Sequence, residues 1–361
     1  MAAIDRVILE SPTVNFDVTY LSANFENENR IGFSINTATN WNALTSSITN
    51  ILNKTQDNKS YYIRTVPEGE DSIGEEAHPN QSGNQYLCVG NGFVSNFTAE
   101  GAVGDFPRST LTIEGLNFVF AISSGSAKAV YGASYDGVGK DNGDVILSPQ
   151  VNPVDGKRAQ QFFAGSNPTG IVSGVIPTGI SDILGDVGDV SLSVLRPGDI
   201  NFRLVAQGTD PNVDGSITEL SQGSVVTDLK VQSYNLSFAL TREPLQKLGS
   251  KFAFSREITF PVQVTLSLDA NLGDIQSDNL ADLIDTDANY DCWIILRHPS
   301  TTVAGGNKKV MMAYALKNAK LDSQSFTSSI GPNKAVTLNW VAQIGGPNQT
   351  DRGLFFSGVL S

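Results

Sequence analysis

From Ile258 to Leu268 apolar and polar residues alternate without interruption. Ile258, Phe260, Val262, Val264, Leu266 and Leu268 fall on one side, and Thr259, Pro261, Gln263, Thr265, Ser267 and then Asp269 on the other. Period two over that length predicts a strand with one buried face. Pro261 lies on the polar side and has no N–H, which predicts a sheet margin or bulge at that end. Val231 to Leu240 alternates in the same way, with Tyr234, Leu236, Phe238 and Leu240 opposed to Ser233, Asn235, Ser237 and Ala239. The two segments predict a long hairpin. Its connector, Thr241 to Glu257, is far longer than a tight turn and carries Leu245, Leu248, Phe252 and Phe254. Long loops in compact domains are mostly functional, and apolar side chains on one predict docking onto a partner.

A second hairpin is expected from Phe93 to Phe120, with Ser109 to Leu116 alternating through Leu111 and Ile113. Its connector, Gly101 to Pro107, is rich in turn formers. Both hairpins end their second strand near an acid, Glu114 and Asp269, a pattern compatible with internal duplication. Further strands are predicted at Val7–Leu9, Tyr61–Val66, Val190–Leu195, Ile200–Val205, Trp293–Arg297, Val310–Leu316 and Ala335–Ile344. Helical spacing is rare. Trp41, Leu44, Ile48, Ile51 and Leu52 share one face, with Asn40 or Asn42 as a cap, and Leu280, Leu283 and Ile284 mark a short helix after Ser277 or Asp278. Residues 121–190 have weak periodicity and many Gly, Ser, Asp and Pro, so they are expected as loops inserted into a single elaborated domain spanning 1–361.

Composition narrows the function classes. Hydrophobic residues make up 40% and charged residues 17% of the 361, so the chain can bury a core and presents a surface of Ser, Thr, Asn, Gln and Gly. The net charge is −13, with no basic cluster of the kind that grips nucleic acid; the densest basic stretch is Arg242 to Arg256, followed by Lys308 with Lys309. Two isolated cysteines, Cys88 and Cys292, make no disulfide framework and predict folding in a reducing cytoplasm. The N-terminal residues are not those of a leader peptide, and no segment is apolar enough for a membrane-spanning helix. The six Asn-x-Ser/Thr matches, Asn53, Asn58, Asn80, Asn96, Asn235 and Asn348, are expected to be chance.

Candidate chemistry is sparse. His78 and His298 are the only histidines, too few for a His-based metal site, and each is expected to be an ordinary surface residue. Leu87-Cys88-Val89 and Asp291-Cys292-Trp293 set both thiols beside apolar neighbours, predicting core packing rather than nucleophiles. Gly90-Asn-Gly92 and Gly101-Ala-Val-Gly104 lack the strand–helix context of a dinucleotide fingerprint, and there is neither a phosphate loop nor a Gly-x-Ser-x-Gly elbow. Asp210, Asn212 and Asp214, followed by Gly215, match the start of a calcium loop, but its twelfth position is Ser221, and Glu219 comes two residues early. A plain Asp-Gly turn is the expected reading there. No catalytic, cofactor-binding or metal residues are therefore expected, and the chain is read as a non-enzyme that needs no cofactor.

Three segments resemble bacteriophage tail tube proteins. They are Val89 to Asn117, Val231 to Leu268 including Pro244-Leu-Gln-Lys-Leu-Gly-Ser250, and Leu316 to Gly331 followed by the strand through Trp340. Together they cover about half the chain, and 121–190 lies outside the likeness. The resemblance implies a mainly β, tail-tube-like sandwich or barrel with long hairpins and a flanking helix, either Trp41 to Asn53 or Asn279 to Ile284. It implies strands joining across subunits into hexameric rings, stacked into a tube in the virion after assembly in the host cytoplasm. It further implies that Arg242, Glu243, Pro244, Leu245, Lys247, Leu248, Gly249 and Lys251 contact a neighbouring subunit or ring. The implied partners are copies of the chain, a sheath if the tail contracts, baseplate, terminator and tape-measure proteins, and double-stranded DNA passing without specific binding.

Geometry constrains such a tube. Six subunits giving four tilted strands each would enclose a bore of about 38 Å, wide enough for a duplex of about 20 Å, whereas two strands each would leave about 14 Å. Four lumen strands per subunit are thus expected, and the two hairpins can supply them. Closing the ring also removes exposed strand edges. Two other readings stay open: a neck, terminator or baseplate hub ring of the same fold, including a trimeric pseudo-hexamer, and a carbohydrate-binding or adhesive β-sandwich with Trp41, Trp293 or Trp340 over a groove.

Overall fold

A computed structural model describes residues 14–36, 45–53, 58–65, 84–115, 117–123, 160–161, 195–206, 229–245, 248, 255–272, 289–302, 308–327 and 335–358. The strands are β1 (Val14–Leu21), β2 (Ile35–Asn36), β3 (Asn58–Thr65), β4 (Asn84–Ala102), β5 (Arg108–Gly115), β6 (Asn117–Ser123), β7 (Gln160–Gln161) and β8 (Ile200–Ala206). They continue with β9 (Leu229–Ala239), β10 (Arg242–Leu245), β11 (Ser255–Ile258), β12 (Val262–Leu272), β13 (Tyr290–Thr302), β14 (Lys308–Thr327), β15 (Ala335–Ile344) and β16 (Gly353–Gly358). The described helices are short: α1 (Glu26–Ile31) and α2 (Thr49–Leu52).

Fourteen strands form one large sheet, with β10 and β11 a separate two-stranded ribbon. The main path runs β1-β5-β4-β9-β12-β15-β14-β13-β8, and every neighbouring pair along it is antiparallel. The sheet is mainly β as expected, but its path has two ends, so it is not the closed barrel that was one of the expected forms.

Two strands serve two neighbourhoods. β4 pairs with β3 and β6 through its first half and with β5 and β9 from Phe93 on. β14 pairs with β13 and β16 as far as Ala319, then with β15 from Lys320 to Thr327. Asn318, with φ of 62°, marks the junction in β14; asparagine tolerates this left-handed conformation better than most residues.

The alternation predicted from sequence builds the core. Phe97, Leu111, Leu236, Phe238, Val264, Leu266, Leu268, Leu338 and Trp340 point to one side of the β5-β4-β9-β12-β15 strands and are buried. Residues of β13, the first half of β14 and β16 pack over them: Tyr290 meets Trp340 edge-on at 5.4 Å, and Phe356 lies 5.4 Å from Phe97. Phe25, Ile31 and Phe33 around α1, with Ile48, Ile51 and Leu52 around α2, join the same cluster. Phe25 stacks on Phe356 at 5.0 Å. Trp293, Ile295, Val310, Ala313, Ala315 and Phe355 form a second cluster.

β8 and β15 follow their predicted spans closely, while β13 and β14 extend well beyond theirs. Pro261 stands immediately before β12, at the sheet margin as its missing N–H requires. β1 is an addition to the expected strands, although Val14, Phe16, Val18 and Tyr20 alternate with Asn15, Asp17 and Thr19 as regularly as any. Of the Trp41 to Asn53 helix only Thr49–Leu52 is helical among the described residues, and α1 is a helix the spacing did not predict. Val7–Leu9 and Asn279 to Ile284 lie outside the described residues, as does most of 121–190.

Candidate functional site

Seven strands, β1-β5-β4-β9-β12-β15 and the outer half of β14, share a continuous face opposite the core. Cross-strand register converts their polar positions into rows. One row reads Thr19, Thr110, Thr98, Ser237, Thr265, Val341 and Lys320. The next reads Leu21, Arg108, Glu100, Asn235, Ser267, Asn339 and Ser323. Hydroxyls, amides and a few charges therefore cover this face.

Neighbours within the rows bond to one another. Thr19 and Thr110 hydroxyls are 3.0 Å apart, as are those of Ser237 and Thr265. Asn339 Nδ2 donates to Ser323 Oγ at 3.0 Å. Asp269 accepts from Ser233 Oγ at 2.8 Å and from Thr337 Oγ1 at 2.6 Å, so one carboxylate links three strands. Asp17 accepts from Thr112 Oγ1 at 2.7 Å. Arg108 Nε lies 2.5 Å from Glu100 Oε1, so this cation is matched by its neighbour. Such cross-strand pairs each contribute a few tenths to about 1 kcal/mol and hold the surface side chains in place.

The connector between β9 and β12 leaves this sheet as the β10–β11 ribbon, with Arg242 opposite Ile258 and Leu245 opposite Ser255. Its base is clamped. The guanidiniums of Arg242 and Arg256 lie 5.2 and 5.3 Å from the centroid of the Phe93 ring, a double cation–π arrangement. Arg242 also donates to the Val94 carbonyl, and buried Arg256 forms an ion pair with Glu114. The basic stretch noted in the sequence thus anchors the loop to its own subunit.

Of the eight loop residues singled out by resemblance, Arg242 faces Phe93, Glu243 and Pro244 are exposed, and Leu245 is half-buried. Leu248 is 103% exposed. Lys247, Gly249 and Lys251 lie outside the described residues. At the opposite end of the strands the β4–β5 turn, with Gly104 at φ of 94°, presents Val103 and Phe106, and the end of β1 presents Leu21. These three were not foreseen as a group, because register alone brings Leu21 beside Arg108 and the turn. Gly101 is needed on β4 for a different reason: a Cβ there would stand 2.7 Å from the ring of Tyr234 across the strand pair.

A polar cluster sits inside the core. Tyr20 donates to Glu28 Oε1 at 2.8 Å, and the Ser109 and Tyr314 hydroxyls are 3.3 Å apart. Burial pushes the Glu28 carboxyl up to about 7, opposed by the Tyr20 hydrogen bond. Burial beside Glu28 also raises the Tyr20 and Tyr314 phenols.

The Cys292 thiol is fully buried and raised by that burial, the setting of a packing residue rather than a nucleophile. His298 is half-buried on β13. His78 and the calcium-loop candidates Asp210, Asn212 and Asp214 lie outside the described residues, among which no cluster of His, Cys, Asp and Glu could hold a metal. Trp293 and Trp340 are fully buried, so neither lines an exposed aromatic groove; Trp41 lies outside the described residues. No described helix is long and apolar enough to cross a membrane.

No protein-family model and no curated protein matches the chain. Among solved structures, the SPP1 tail tube, determined by solid-state NMR and cryo EM, aligns with 9% identity over 46% of this chain and 81% of that chain. The TM-score is 0.29, too low to establish a shared fold.

Proposed function

We propose that the chain is a structural, non-catalytic subunit of a bacteriophage tail tube, in which copies close into rings with the hydroxyl-rich sheet face inward and the rings stack. The observation that carries this reading is the continuous seven-stranded polar face, which is solvated although its central strands, β5, β4, β9, β12 and β15, bury their other side. A duplex passing along it meets hydroxyls, amides, the carboxylates Asp17, Glu100 and Asp269, and an Arg108 already matched to Glu100. Such a lining offers little to retain phosphates, so DNA slides rather than binds.

Apolar side chains at the two ends of the strands suit stacking. Leu248 on the ribbon of one ring would meet Val103, Phe106 and Leu21 at the opposite end of the next. The remaining partners of the reading are the sheath where one exists, the terminator, the baseplate and the tape measure, in a virion tail. A neck, terminator or hub ring uses the same inward face and differs in not stacking on itself.

Negative-stain microscopy of the purified protein tests this. Rings or tubes with a central opening are expected, and Leu248→Asp should leave rings but remove stacks. Wild-type rings that never stack would select the neck or hub reading. Protein that stays monomeric at every concentration would overturn both.

A further inference from the structure

β1 is held to the rest of the molecule in two unequal ways. Along most of its length its inward side chains, Val14, Phe16 and Val18, are half-buried and pack against Ile113 of β5, in a small cluster apart from the main core. Near its end Tyr20 reaches the main core and donates to Glu28 Oε1 at 2.8 Å. Glu28 belongs to α1, which has its own anchors. Phe25, at the start of α1, stacks on Phe356 of β16 at 5.0 Å and meets Tyr314 of β14 edge-on at 5.2 Å, and Phe25 and Ile31 are buried. The link from β1 to α1 is fixed as well: Ser22 N donates to the Pro107 carbonyl at 2.9 Å, and the Ser22 carbonyl accepts from Leu195 N at 3.4 Å. The chain is thus pinned just beyond β1, and β1 is joined to α1 through Tyr20.

That junction depends on the proton of Glu28. Its carboxyl is completely buried, and while Oε1 accepts from Tyr20, Oε2 meets no hydrogen-bond donor among the described residues. The groups that face it from other elements are the Tyr20 phenol of β1, the Ser109 hydroxyl of β5 and the Tyr314 phenol of β14, with the Tyr234 phenol of β9 beyond Tyr314. β16 presents Phe356, which carries no charge. Arg108, next to Ser109 on β5, is paired with Glu100 on the polar face. As a neutral acid Glu28 fits this setting. As a carboxylate it is a buried charge without a counter-ion, a state disfavoured until water reaches it. Burial accordingly raises its carboxyl from 4.5 to about 7.

We propose that β1 is a pH-gated flap over Glu28: while Glu28 is protonated the Tyr20 contact holds the strand closed, and on ionisation β1 lifts from β5 and admits water to the carboxylate. The flap goes beyond the tube reading and does not depend on it. Lifting β1 uncovers Tyr20 and the small Ile113 cluster, whereas lifting α1 would expose Phe25 and Ile31, so the strand moves and the helix stays. It also bares the edge of β5 from Arg108 to Gly115. The sign follows from the two acidities. The closed form is favoured most below pH 4.5, and that advantage is lost as pH rises through about 7.

Amide hydrogen exchange of the purified protein, corrected for the intrinsic pH dependence of exchange, tests the flap. Peptides of β1 should exchange ahead of those of β9 and β12, and β1 should open up to about seventyfold more often at about pH 8 than at about pH 5. Glu28→Gln should hold the opening of β1 near its acid value at both pH values. Tyr20→Phe keeps the flap open to refutation if that variant does not fold. In it β1 should open more often than in wild type at acid pH. The midpoint of the remaining rise should also move to higher pH, because the lost hydrogen bond had lowered the Glu28 carboxyl. A β1 that exchanges in step with β9 and β12 opens only with the whole fold, which overturns the flap. Opening of β1 that ignores pH, or a rise that survives in Glu28→Gln, overturns it too. Each of these results leaves the tube reading untouched.

Discussion

The two faces of the same seven strands are built on opposite rules. Leu266 and Thr265 are adjacent on β12, yet Leu266 is buried against Leu236 and Trp340 while Thr265 shares a hydrogen bond with Ser237 on the open side. On the inner side large apolar groups exclude water and set the register, because a one-residue slip would expose every one of them. On the outer side small polar groups satisfy each other laterally and leave the surface hydrated. One side holds the fold, and the other stays open to solvent.

The comparison can be broken most sharply on the buried side. Leu266→Ala should cost about 2–5 kcal/mol through lost transfer energy and the cavity left behind, read as a lower denaturant midpoint. A loss below about 1 kcal/mol would mean that the packing between the layers is far looser than the geometry indicates.

Glu28 sharpens it, as a polar group on the buried side. Its carboxyl, ordinarily at 4.5, is pushed up to about 7 by burial, so the folded state favours the protonated form. The stabilisation is fully present below pH 4.5 and is lost as pH rises through about 7. The loss should total about 3 kcal/mol, and Glu28→Gln should abolish this slope in stability measured against pH.

The smallest effect belongs to the open side. Thr265→Ala removes the hydroxyl pair with Ser237 and should cost at most about 1 kcal/mol, with the midpoint nearly unchanged. A cost equal to that of Leu266→Ala would show that the polar face is structural and not merely a surface.

Much of this was legible in advance. β9, β12 and β15 were readable from period two alone, since alternation reports directly which side chains can be buried. The loop between β9 and β12 was visible as an anomaly of length. Its internal structure was not: Arg242 and Arg256 are separated by a long stretch of chain, and only the β10–β11 pairing brings both onto Phe93. The long reach of β14 was hidden too, because a strand that changes partners at Asn318 interrupts its own alternation.

The sequence by itself determined that the protein is mainly β and that two long hairpins are each apolar on one side. These are local properties, set by the two-residue repeat of a strand. Only the tertiary structure decided how many strands share the polar face. The count of seven depends on which edges meet, with β1 added beside β5 and the outer half of β14 beside β15. Pairing between segments far apart in the chain is a matter of register and packing, and no local pattern encodes it.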